Sequence, residues 1–230
     1  MDNQLWNDRI IKGLLWHAWL KHGRFLSWIA VAWLASFWIL CFFNDPVFII
    51  FLGALYGATA GLRFGGMEAV EGSAEFVYAL PPTRKQRCFV TLTIGLATVA
   101  ALALLGDLAL FFNLPQAFWK LFVSSGFTEP YDRAEAINYW HALVIPLAVF
   151  AGTFATASFV KSRSAALSAR WIGTIVIGLI FWISQYIESM LSQNLSRDCR
   201  GFVAVPALFL FSALSLTMAW HFHLVKEQIN

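Results

Sequence analysis

Six stretches of this chain, residues 25–43, 46–62, 89–112, 139–160, 171–187 and 202–222, are apolar runs with few or no charges. Each holds about 17 to 24 residues, enough for a helix rising 1.5 Å per residue to cross a hydrocarbon core of about 30 Å. A water-soluble fold of 230 residues can bury a large core, but it cannot hide six separate runs of this length. Composition points the same way, with 59% hydrophobic and 13% charged residues against about 25% charged in an ordinary soluble domain. A lipid-exposed backbone must satisfy its own hydrogen bonds, and none of the runs has the short alternation of a barrel strand. The expected fold is therefore an all-α membrane protein, a single domain over 1–230 with six transmembrane helices.

Orientation follows from the basic residues. With the N-terminus inside, the inner segments hold Arg9, Lys12, Lys21, Arg24, Arg63, Arg84, Lys85, Arg87, Lys161, Arg163, Arg170 and Lys226. Lys120, Arg133, Arg197 and Arg200 are left outside, while the acids divide evenly. The expectation is both ends in the cytoplasm and a multi-pass location in the cell inner membrane. The net charge of +3 then reflects the positive-inside rule and gives no reason to expect a nucleic-acid partner. Trp16, Trp28, Trp140, Trp171 and Trp220 fall near span ends, where amphipathic rings favour the headgroup zone. The first apolar run is too long for a signal peptide and lacks a small-residue cleavage site, so the N-terminal segment is expected to be retained.

In the segment 1–24, Trp6, Ile10, Ile11, Leu14, Leu15 and Ala18 recur at helical spacing opposite Asp8, Arg9 and Lys12. This reads as an interfacial helix on the inner leaflet, or as a cytoplasmic extension of the first span. The cytoplasmic segment 63–88 is too long for a bare turn. There Ser73 is placed to cap a short helix running to Leu80, with Glu75 in its first turn and Pro81 and Pro82 stopping it. The outer segment 113–138 begins apolar and ends acidic, and short loops are expected over 161–170 inside and 188–201 outside.

No glycine-rich nucleotide loop, no HExxH and no nucleophile elbow occurs in the sequence. Cys41, Cys88 and Cys199 have no CxxC spacing, and His221 and His223 face different ways on a helix, so no metal site is expected. Asp107 is the acid inside an apolar run, about 27 Å along the third span from residue 89. It reads as part of a translocation path or as a solvated helix end, and Gln185 and Glu188, near the outer end of the fifth span, read the same two ways. Gly53, Gly57 and Gly61 form a tandem GxxxG that lets another helix approach, from this chain or from a second copy.

The stretch EGSAEFVYALPPTRKQR resembles the cytoplasmic signature of ABC-2-type transporter permeases. Glu71, Gly72, Ser73, Glu75, Phe76, Leu80, Pro81, Thr83 and Arg84 occupy its pattern of an acidic Glu-Gly-Ser segment, a short helix, Leu-Pro and Thr-Arg. The resemblance implies the noncatalytic membrane subunit of an ATP-driven exporter working by alternating access. It also implies pairing with a second permease copy or similar chain and docking on cytoplasmic ATP-binding cassette subunits. ATP and Mg would be bound on those partners, and this chain would hold no cofactor. By that analogy the N-terminal helix and the segment containing Glu68, Glu71, Ser73, Glu75, Phe76, Leu80, Pro81, Pro82 and Arg84 would receive the ATP-driven motion. Several relatives carry long outer hairpins between the fifth and sixth spans, whereas only residues 188–201 join them here, so no gate or substrate residue is carried over. The other readings are a six-span membrane enzyme, which needs a polar cluster at one depth, and an ion-coupled secondary transporter, which needs broken helices and midplane charges.

Overall fold

The computed structural model describes residues 8–43, 47–71, 84–111, 139–159, 163–195 and 203–228. Among them the chain is all-helical, with no strand: α1 (Asp8–Phe43), α2 (Val47–Glu71), α3 (Arg84–Phe111), α4 (Tyr139–Ser158), α5 (Arg163–Leu195) and α6 (Ala204–Gln228). Three stretches, Lys85–Gly106, Trp171–Ser192 and Ala204–Phe222, are long and apolar enough to cross a membrane. Large apolar side chains point outward along them, including Trp171, Ile175, Leu179, Trp182 and Tyr186 on α5 and Phe209, Leu214 and Met218 on α6. A continuous apolar surface of that kind is unfavourable in water and ordinary in lipid, which supports a membrane protein.

The bundle is organised around α4, which packs on α2, α3, α5 and α6. From Val144 to Ala155 nearly every side chain of α4 is buried, and Phe150, Thr153 and Phe154 are almost wholly enclosed. The neighbours fix the helix directions. Gly53 faces Pro146 and Gly65 faces Phe154, so α2 and α4 run parallel. Gly152 meets Phe211, and the Phe159 and Phe222 rings lie 4.5 Å apart, so α4 and α6 run parallel too. Along α5 the order reverses, with Gly173 against Thr153 and Ile177 against Gly152. Gly95 of α3 lies against Phe64 and Phe150 and fills the space between α2 and α4.

Several boundaries differ from the sequence reading. Residues 8–43 form one helix of 36 residues, so the described part of the expected interfacial helix is continuous with the helix of the first apolar run. The reason is local: nothing between Lys21 and Phe25 breaks a helix except Gly23, which costs only about 1 kcal/mol. The segment expected to leave the second span at Arg63 stays helical to Glu71, carried by the good helix formers Met67, Glu68 and Ala69. Likewise α5 starts at Arg163 and ends at Leu195, so most of the loop expected over 161–170, and the first half of that over 188–201, are helical turns. The outer segment 113–138 lies outside the described residues.

Candidate functional site

The helix ends that flank the segment resembling a permease signature carry the candidate site. α2 reaches Glu71 and α3, which packs against it, begins at Arg84, so residues 72–83 connect the two helices along the chain. Ser73, Glu75, Phe76, Leu80, Pro81 and Pro82 lie outside the described residues, as do the side chains of Glu68, Glu71 and Arg84. The side chain of Asp107 is outside them as well, on the last turns of α3.

Two turns before the end of α2, a polar pair fastens it to α1. Arg63 Nε donates to Nδ1 of His22 at 3.2 Å, and the guanidinium stands 5.4 Å from the centre of the Phe25 ring. The His22 ring lies 4.8 Å from that of Phe64 and is only 4% exposed. Burial first, and then the positive field of Arg63, Lys21 and His17, lowers the imidazole pKa to about 4. A neutral ring with its proton on Nε2 leaves Nδ1 free to accept from Arg63, and a cation over an aromatic face adds its own attraction. Sequence gave no sign of this pairing, since the residues stand 41 positions apart.

The glycine stripe faces α4 of the same chain. A Cβ added at Gly53 would stand 2.6 Å from Cγ of Pro146, and one at Gly57 or Gly61 would meet the α4 backbone itself. Backbones this close gain dispersion along their whole contact, as is common where helices associate in lipid. Pro146 suits the position, because its ring fills the groove beside Gly53 at the cost of one helix hydrogen bond. Thr153 sits between two glycines, with Oγ1 toward Gly61 of α2 and Cγ2 toward Gly173 of α5. Its hydroxyl donates to Val149 O at 2.7 Å, so the wholly buried side chain is satisfied by its own helix, and Gly57 O of α2 lies 3.4 Å from the same oxygen.

At the opposite end of the bundle Glu188 is 4% exposed. Its Oε1 accepts from the backbone N–H of Val203 at 2.9 Å and of Ala204 at 2.6 Å, and Gln185 Nε2 donates to Oε2 at 3.3 Å. Glu188 therefore caps α6 from a neighbouring helix, satisfying first-turn donors and placing negative charge at a helix N-terminus. The spacing of Gln185 and Glu188 was visible in the sequence, whereas their use as a cap depends on how α5 and α6 meet. Among the described residues no group of His, Cys, Asp and Glu has the arrangement of a metal site.

No protein-family model, no curated protein and no solved structure matches this chain.

Proposed function

We infer that this chain is the membrane-spanning subunit of an ATP-driven exporter of the ABC-2 type. It crosses the cell inner membrane six times with both ends in the cytoplasm, and its motor is a separate ATP-binding cassette subunit. The observation that carries the reading is the segment Glu71-Gly72-Ser73 to Leu80-Pro81-Pro82-Thr83-Arg84, whose pattern resembles the cytoplasmic signature of such permeases. The helix arrangement supports it. The helices α2, α4 and α6 run parallel to one another and α5 runs against them, as alternate and successive spans would. Arg63 and the first turn of α3, with Lys85 and Arg87, lie at one end, where twelve of the sixteen basic residues also belong on the positive-inside rule.

Mechanically, a subunit driven from outside needs a stiff lever at its cytoplasmic end. Force applied to residues 72–83 enters α2, and α2 is locked to α4 by the Gly53, Gly57 and Gly61 contacts. Because α4 touches α3, α5 and α6, that force is shared through the whole bundle. Closure of two ATP subunits then shifts a pair of such bundles between inward-open and outward-open states through different contacts in each.

The reading is tested by purifying the tagged full chain in mild detergent from its native host at native expression. An ATP-binding subunit is expected to co-elute, and Glu71→Arg with Glu75→Arg to release it while the helical content of the chain is unchanged. Recovery of the intact, folded chain alone would overturn the proposal.

A further inference from the structure

Among residues 11–33 of α1, Ala18 and His22 alone are buried. After them Phe25, Leu26 and Ile29 pack, partly buried, on the core that contains Tyr56, Phe64 and Val99. Before them the helix stands off from α3, leaving a cleft of about 470 Å³ between Leu15, Trp16 and Trp19 on one side and Ile94 and Ala97 on the other. Residues 11–22 are therefore held to the bundle chiefly at Ala18 and at the Arg63–His22 pair, whereas the next two turns are held by a row of apolar contacts.

The two parts meet at Gly23. Packing gives no reason for a glycine there: an added Cβ would first meet the Trp19 ring of the same helix, at an ordinary 3.8 Å. Gly57 and Gly61, by contrast, admit the backbone of α4. Glycine weakens a helix interior, and Gly/Ser pairs are a common place for helices to kink. Ser27 completes such a pair, because its Oγ donates back to Gly23 O at 3.0 Å, a bond that often bends a helix. Thr156 makes the same bond to Gly152, but Ile177 and Phe211 crowd that backbone and hold it in place. We propose that residues 8–22 form a strap that swings about Gly23, with the Arg63–His22 pair as its clasp on α2. Arg63 stands two turns from the end of α2, so whatever moves that end acts on the clasp as well. The strap goes beyond the exporter reading and depends on no motor subunit.

The test is the distance between spin labels, measured by pulsed electron resonance on the full chain in mild detergent. Cys41, Cys88 and Cys199 are replaced by alanine, and labelled chain is diluted with unlabelled chain so that only distances within one copy are read. One pair joins Gly13→Cys to Gly178→Cys, two positions where nothing lies within 4 Å of an added Cβ. The other joins Ala30→Cys, exposed and beyond the hinge, to the same Gly178→Cys. The first pair is expected to show two separations and the second pair one. His22→Phe keeps a ring and loses the acceptor, and it raises the minor separation of the first pair about fivefold. Gly23→Ala lowers it about fivefold, with helical content unchanged in both variants. A single separation for the first pair in all three backgrounds would overturn the strap. Equal changes in the two pairs would overturn it as well, because α1 would then move as one rod. Indifference to His22→Phe would remove the clasp and indifference to Gly23→Ala the hinge, and the proposal fails with either.

Discussion

Arg63 Nε donates to His22 Nδ1 over 3.2 Å and so ties α1 to α2 across 41 positions of chain. The bond exists only while the imidazole is neutral. With the folded pKa lowered from 6.5 to about 4, the unfolded chain binds the proton first as the medium is acidified. The contribution is therefore complete above about pH 6.5 and is lost progressively toward pH 4, on the order of 3 kcal/mol in all. Thermal unfolding in mild detergent is expected to show melting temperature falling between pH 6.5 and 4. In His22→Phe, which keeps the ring against Phe64 and cannot titrate, that part of the slope disappears. An unchanged slope would remove His22 from the account.

Gly57→Ala sets a methyl group against the carbonyl oxygen of Pro146, where the obstacle is backbone and cannot rotate away. Overpacking of this kind costs about 1–3 kcal/mol. The melting temperature of Gly57→Ala is expected to fall clearly. Gly178→Ala is the matched comparison on α5, where nothing lies within 4 Å of the added Cβ, and it is expected to be neutral or stabilising. Equal effects at the two positions would show that the α2–α4 contact is looser than the backbone geometry requires.

Glu188→Ala leaves the N–H groups of Val203 and Ala204 without their carboxylate acceptor at a part-buried helix start. Loss of a charged cap costs about 1–3 kcal/mol. Glu188→Gln keeps an acceptor oxygen and loses the charge, so it is expected to fall between wild type and Glu188→Ala. Hydrogen exchange at the first turn of α6 reads this directly, with protection decreasing in the order wild type, Gln, Ala. An order that leaves the α6 amides unaffected would return Glu188 to a role outside the bundle.

What the sequence made legible was whatever depends on neighbours along the chain. Run length and period identify helices in the regions of all six, and GxxxG marks Gly53, Gly57 and Gly61 as a close-packing face. Boundaries were less legible, because hydropathy marks where lipid solvation ends, whereas α2 and α5 continue as helices past that point through Glu71 and Leu195. Contacts between distant helices left no local trace. The neutrality of His22 depends on Arg63 and on burial, and the capping role of Glu188 depends on where α6 begins.

Thr153 illustrates the same limit at one residue, and it can be tested by small changes of shape. Its Cγ2 faces Gly173 of α5 and its Oγ1 faces Gly61 of α2, so the side chain sets the spacing of three helices. Thr153→Val keeps the outline and loses a hydroxyl whose shortest bond is made within α4, to Val149 O at 2.7 Å, with Gly57 O of α2 farther off at 3.4 Å. The expected cost is at most about 1 kcal/mol. Thr153→Ser keeps the hydroxyl and removes the methyl against Gly173, which costs about 1 kcal/mol through the gap left behind. Thr153→Leu is expected to cost the most, because neither glycine has any side chain to move and the helices themselves must part. Melting temperatures measured in one detergent should therefore place Leu below both Val and Ser. A leucine variant as stable as wild type would mean that the Gly61–Thr153–Gly173 junction opens without cost, and that force entering α2 reaches the rest of the bundle by another route.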